Sequence, residues 1–300
     1  MEEERTGRSP EDVAAVFEEL RPRLLGVAYG LLGSLAEAED VVQEAWLRLE
    51  GTDVRAIRDL TGWLVTATSR IALDTLRSAR VRRETYVGPW LPEPVETAPD
   101  PADSIALADA VSWAVLVVLE TLSPAERAAF VLHDVFGMSF DGVGETLGRN
   151  PAACRKLASR AREHVEARQP RFDVDPRAHR EVVTAFARAA GSGDLEGLLD
   201  LLAPDAVLTS DGGGVARALP RPLHGAREIA AFLAGTQAAQ RRLTMRPSAV
   251  NGCPALLIFE GGRVVTVLAL GIRGGRVTTI DAIRNPEKFS GLRSLTAGDQ

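Results

Sequence analysis

Three sets of side chains in this chain have types and spacings that could do chemistry. The first is acidic. Residues 37 to 49 read Glu-Ala-Glu-Asp-Val-Val-Gln-Glu-Ala-Trp-Leu-Arg-Leu, with no Gly or Pro. Ala38, Val41, Val42, Ala45, Trp46 and Leu49 recur at helical spacing and predict a core-facing stripe. Glu37, Asp40, Gln43, Glu44 and Leu47 form a second stripe beside it. Carboxylates around a leucine left off the core face are what a helix offers to a basic partner helix. Taken alone, the stretch also allows a solvated face with one stray leucine.

The second set is basic. Arg77, Arg80, Arg82 and Arg83 crowd the end of one predicted helix, with Arg70 on its polar face. Arg155, Lys156, Ser159 and Arg160 lie on the outer face or flank of another. Between Arg149 and Arg171 there are seven Lys/Arg against Glu163 and Glu166. Such groups suit phosphate neutralisation and guanine edges. Cations closing a helix also complement its macrodipole, a purely structural benefit. The formal net charge of −6 argues against nucleic acid only on average, because a duplex meets one face.

The third set is Asp205, Asp211, His224 and Asp281, which could serve as acids or bases in a pocket. No paired spacing joins them. Asp211 precedes Gly212, Gly213 and Gly214, where a turn accounts for it. Asp205 follows Pro204, and His224-Gly225 reads as a turn before a helix. Small-molecule binding or isomerase-like activity in this part of the chain is the rival reading.

Three hundred residues suggest about two or three domains. The residues are 45% hydrophobic and 25% charged, as in ordinary globular protein. No apolar run reaches spanning length, the acidic N-terminus is no signal peptide, and the expected compartment is the cytoplasm, with no membrane contact. Cys154 and Cys253 are far apart and the four histidines lack ligand spacing, so neither a metal nor another cofactor is expected.

The elements that must position these sets follow in order. A helix runs from Asp12 to Leu32, with Pro22 as a kink or restart. Gly33-Ser34 stops it and caps the acidic helix. Thr61 is the expected cap of the next helix, Gly62 to Arg80. Tyr86 to Pro101 is Pro-rich, and Trp90 and Leu91 within it are large apolar groups of the kind that dock onto something. Ser104 to Glu120 is helical. Ser123, Pro124 and Glu126 make a capping box ahead of a helix reaching about Phe136. A short helix from Ser139 to Leu147, a turn at 148–150 and a basic helix from Pro151 give a helix-turn-helix pattern. Gly142 and Gly144 inside its first helix cost about 1 kcal/mol each. Beyond a boundary at 170–176 come a helix broken near Gly191-Ser-Gly193, a helix from Ala226 to Ala239, and five expected strands. These are Ala206–Ser210, Val215–Leu219, Leu256–Phe259, Val264–Leu270 and Val277–Ile283, with a hairpin turn at Gly274-Gly275. Helices followed by a mostly antiparallel sheet read as α+β.

On these motifs the chain resembles the extracytoplasmic-function-type sigma factors, promoter-recognition subunits of RNA polymerase. Ala38 to Arg48 looks like their polymerase-docking helix. Gly62-Trp63-Leu64 with Arg70 to Arg77 looks like their −10-reading segment, and Leu122 to Arg127 with the helix-turn-helix like their −35-reading domain. The remainder is similar to a SnoaL-like domain, which one subgroup carries as a fused extension. Tyr86 to Pro94, Asp211 to Gly214 and Asn285-Pro286-Glu287-Lys288 look like that subgroup. A lysine commonly follows its three glycines, where this chain has Val215.

The resemblance implies a multidomain protein: two all-α domains, the second with the helix-turn-helix, plus an α+β cone. Expected boundaries are 10–84, a linker at 85–103, 104–169 and 177–290. It implies a non-enzymatic sigma factor whose Glu37, Asp40, Gln43, Glu44 and Leu47 dock on the clamp helices of the largest polymerase subunit. Arg70, Arg77, Arg80, Arg82 and Arg83 would meet promoter DNA near the −10 element. Arg155, Lys156, Ser159 and Arg160 would meet it at the −35 element. Trp90, Leu91, Asp211 to Gly214, Asn285 and Pro286 would regulate activity in cis, in place of a separate anti-sigma protein. An ordinary helix-turn-helix repressor leaves residues 37 to 83 unexplained.

Overall fold

The computed structural model describes residues 10–97, 111–168, 176–236 and 243–292. They form two compact units: the described parts of Met1–Val81, Ile105–Val111 and Leu119–Ala167, and those of Arg82–Ser104, Ser112–Val118 and Arg168–Gln300. Both expected helical segments therefore contribute to the first unit. The linker and residues 112–118 belong with the sheet.

The first unit is helical. Helix α1 (Pro10–Leu32) is continuous through Pro22. Glu18, whose carbonyl the proline leaves unbonded, is exposed, so that carbonyl can be hydrated. Ser34 caps α2 (Leu35–Glu50), which buries Ala38, Val41, Val42, Ala45 and Leu49 as the periodicity requires. Helix α3 (Leu60–Glu84) starts earlier than expected. Asp59, not Thr61, is its cap, accepting from the Gly62 amide at 3.0 Å, because Leu60 is already buried as the first helical residue.

Helix α4 (Trp113–Leu119) is the described part of the helix expected from Ser104; residues 104–110 lie outside the described residues. The capping box of Ser123 and Glu126 opens α5 (Pro124–Phe130). The continuous helix expected as far as Phe136 instead widens into a π-helical turn at Val131–Val135, where the Phe136 amide reaches the Val131 carbonyl at 3.1 Å. Helices α6 (Phe140–Leu147) and α7 (Pro151–Arg168) complete the helix-turn-helix. Gly148 holds the turn at φ 62° and Asn150 caps α7 through the Ala153 amide at 2.8 Å. Gly144 has a packing reason, since a Cβ there would lie 2.6 Å from the Arg149 carbonyl oxygen.

In the second unit α8 (Pro176–Ser192), α9 (Leu195–Leu201) and α10 (Ala226–Gly235) cover one face of a mixed sheet. The strands are β1 (Leu202–Asp211), β2 (Leu223–His224), β3 (Leu243–Val250), β4 (Cys253–Glu260), β5 (Arg263–Arg273) and β6 (Arg276–Ile283). Their order is β2-β1-β6-β5-β4-β3. The β1–β6 pair is parallel and the remaining pairs are antiparallel.

The strand expected at Val215–Leu219 is a turn: the Val215 and Ala216 amides both return to the Gly212 carbonyl. Strand β3 was not expected, because Pro247 interrupts its pattern. It is an edge strand, where a missing ladder donor is tolerated. The helix expected to reach Ala239 ends at Gly235; residues 237–242 lie outside the described residues. Leu256, Ile258, Leu268, Leu270 and Ile280 pack under the helices. Alternating with them, Ala255, Leu257, Phe259, Val267 and Ala269 face the other way and pack with Leu91 and Trp113. The linker and the start of α4 thus cover the second face of the sheet.

Candidate functional site

The acidic stripe stands on the face of α2 opposite its buried residues. Asp40 and Gln43 are exposed, Glu37 and Glu44 half-buried, and Leu47 is 53% exposed. Glu44 is bridged by Arg48 at 2.9 Å. Asp40 and Gln43 also border a groove between α1 and α2, where Phe17 and Trp46 meet with ring centroids 4.8 Å apart. An apolar contact flanked by carboxylates suits a basic helix with one or two apolar side chains.

The basic sets are separate. On α7, Cys154, Ala158, Ala161 and Val165 are buried, which leaves Arg155, Lys156, Ser159 and Arg160 exposed. Arg155 sits over the Phe140 ring at 5.5 Å. Arg162 is turned instead to Asp134 at 2.8 Å. On α3, Arg77 pairs with Asp74 at 3.0 Å. Arg70 donates to the Glu145 carbonyl at 2.8 Å and faces the Glu145 carboxylate at 3.4 Å. The side chains of Arg80, Arg82 and Arg83 lie outside the described residues.

A dense polar cluster lies in the second unit. Asp211, fully buried, ends β1. Its Oδ1 accepts from the Tyr86 hydroxyl at 2.6 Å and the Gly213 amide at 3.1 Å. Its Oδ2 accepts from the Leu91 amide at 2.8 Å and Lys288 Nζ at 2.7 Å. Lys288 also donates to the Leu91 carbonyl and lies over the Trp90 ring, 3.9 Å from its centroid. Asn285 Nδ2 donates to the Tyr86 hydroxyl at 3.2 Å, and its Oδ1 caps the short turn Pro286–Lys288 that carries Lys288. Burial and the hydrogen bond to Asp211 push the Tyr86 phenol well above its ordinary pKa, so it stays a donor.

Gly213 has φ 61°, and a Cβ there would lie 2.4 Å from Asn285 Nδ2. Only glycine lets the loop close on the asparagine. Farther along, the Val95 amide donates to Asn251 Oδ1 at 3.0 Å, and Glu96 accepts from Arg246 at 2.9 Å. The linker is therefore clasped at both ends of its described length.

This places the regulatory candidates Trp90, Leu91, Asp211, Gly213 and Asn285 in one cluster, with Pro286 starting the turn beside it. Gly212 is buried in the same loop, whereas Val215 is 67% exposed and outside the clasp. Tyr86 and Lys288 are the members that sequence reasoning missed as site residues, although both lie inside the motifs it singled out. The acid/base candidates do not converge. Asp205 and His224 are exposed, and Asp281 accepts from Trp113 Nε1 at 2.8 Å. Burial raises the Asp281 pKa to about 6, opposed by that hydrogen bond.

Three family models match successive parts of the chain. Residues 16–82 match the model of Sigma-70 region 2, residues 112–165 that of Sigma-70 region 4, and residues 183–285 that of a SnoaL-like domain. The chain is 43% identical over 289 residues to the ECF RNA polymerase sigma factor SigJ of Mycobacterium tuberculosis, covering 92% of each. It is 35% identical over 295 residues to the probable ECF RNA polymerase sigma factor SigI of the same species, covering 95% of this chain and 98% of that one. The crystal structure of SigJ is similar at a TM-score of 0.73 and 39% identity, over 93% of this chain and 98% of the other. Among the described residues no helix is long and apolar enough to cross a membrane.

Proposed function

Since the chain belongs to the extracytoplasmic-function RNA polymerase sigma factors, a family that binds core polymerase and promoter DNA, we propose how its parts divide that work. Sigma regions 2 and 4 make it a subunit for transcription initiation. Asp40, Gln43, Glu44 and Leu47, with Glu37 at the start of the stripe, dock on the clamp helices of the largest polymerase subunit. Exposed carboxylates around one apolar contact give steering and register there. Arg70 and Arg77, continued by Arg80, Arg82 and Arg83, hold the −10 region, and Arg155, Lys156, Ser159 and Arg160 face the −35 major groove.

The SnoaL-like domain acts on the linker in cis. The observation that carries this reading is the Asp211 carboxylate, which binds the Leu91 amide and Lys288 at once. A segment between two DNA-reading regions is thereby fixed to a third domain by a buried ion pair.

Two experiments test the proposal. Reversing Asp40 and Glu44 to Lys abolishes retention on core polymerase while the circular dichroism of the protein stays unchanged; retained binding refutes the docking surface. Truncation after Arg284 keeps all six strands but removes Asn285 and Lys288. It changes run-off transcription from a cognate promoter at equal core occupancy, and an unchanged rate refutes regulation through the clasp.

A further inference from the structure

A cavity of about 570 Å³ lies in the second unit, where the linker, the start of α4, the start of α8 and the β3–β4 hairpin meet. It is separate from the packed interior under the helices, of whose core only Val183 reaches it. Trp113, Val183, Pro247, Ala249 and Pro254 give it a largely apolar wall. A volume and lining of this kind belong to small-molecule sites rather than to packing voids. The charged groups on the wall leave an excess of positive charge. Glu96 is already engaged by Arg246 at 2.9 Å and by the Ser248 hydroxyl at 2.6 Å. Arg180 is exposed and has no ion pair among the described residues. His179 Nε2 and Arg246 Nε are buried and lack a hydrogen-bond partner among those residues, a cost that a bound acceptor would relieve. His179 and Arg180 also lie near the N-terminal, positive end of α8.

We infer that this cavity is a binding site for an amphipathic carboxylate, a small molecule with an apolar body and one anionic head. The body lies along Trp113, Pro247 and Pro254, and the head meets Arg180, with His179 beside it. A cation of the same shape is rejected, because the one carboxylate on the wall is already paired and two guanidinium groups face the ligand. Glu96 and Thr97 of the linker form part of the wall, and the Thr97 amide donates to the Ala249 carbonyl at 2.8 Å. A ligand there touches the linker and the SnoaL-like domain together, so its binding favours the fastened linker. That consequence rests on the proposed regulation in cis, whereas the binding itself does not.

The full-length protein is titrated calorimetrically with decanoate, and with decyltrimethylammonium as a similar chain bearing the opposite charge. Decanoate binds saturably and the ammonium compound does not. Arg180→Glu weakens decanoate about three- to tenfold, through loss of an exposed ion pair and gain of a like charge. Ala249→Phe fills the cavity from an edge strand and abolishes binding with unchanged circular dichroism. Should that variant misfold, Arg180→Glu decides, because its side chain lies outside the core. No saturable binding of decanoate, equal binding of both compounds, or undiminished binding by the folded variants overturns the site. Decanoate also changes run-off transcription from a cognate promoter by the core-bound protein. The expected binding with an unchanged rate keeps the site and overturns its link to regulation through the linker.

Discussion

Two ion pairs, one in each unit, differ in burial and in what breaking them costs. Lys288 and Asp211 are 10% and 0% exposed, and the carboxylate accepts three further hydrogen bonds. Arg70 and Glu145 are about half exposed or more, and the one good hydrogen bond of Arg70 goes to the Glu145 backbone carbonyl, with the carboxylate at 3.4 Å. Removing one partner of a desolvated pair leaves the other uncompensated, whereas a solvated pair can break at little cost. The buried pair suits a fastened linker, whereas the exposed pair leaves Arg70 able to exchange Glu145 for another anion.

Breaking each side of this comparison gives a graded series. Asp211→Ala has the largest effect, because it removes the partner of Lys288 and the acceptor for Tyr86 and Leu91. Urea unfolding should show a loss of about 3–5 kcal/mol. Asp281 comes next. Its folded pKa of about 6 exceeds the ordinary 3.8, so between these values the folded state holds more protons. Stability therefore falls as pH rises through that window, by roughly 3 kcal/mol at most. Asp281→Asn keeps an acceptor for Trp113 and flattens this dependence in unfolding curves taken from pH 4 to 7. Gly213→Ala strains a residue at φ 61° and drives its Cβ into Asn285, lowering stability by about 1–3 kcal/mol. Glu145→Gln is smallest, within about 1 kcal/mol by the same unfolding measurement. A loss as large as that of Asp211→Ala would erase the distinction between the two pairs.

What was legible in the sequence divides along the same line. The stripe on α2, the capping box at Ser123 and the cap at Asn150 depend on residues within one or two turns, so periodicity and spacing reveal them. The clasp joins positions 77 and 125 residues apart in sequence, and no local pattern says that Lys288 or Tyr86 faces Asp211. The glycines after Asp211 did signal a turn there, but not that Asp211 would be buried as the acceptor of a whole cluster. The errors were also local. Val215 to Leu219 alternates like a strand yet follows two glycines with positive φ, and Pro247 hid an edge strand. Asp281, a candidate acid or base by residue type, is held by Trp113, which no spacing ties to it.

We propose that the clasp on the linker sets how this sigma factor initiates transcription. Lys288→Met tests it most directly, because three donors to Asp211 remain and the fold should survive. Run-off transcription from a cognate promoter is compared with wild type at matched core occupancy. A changed initiation rate with unaltered circular dichroism is the predicted result. An identical rate, although Lys288 no longer joins Asp211 to the Leu91 carbonyl, would contradict the proposal.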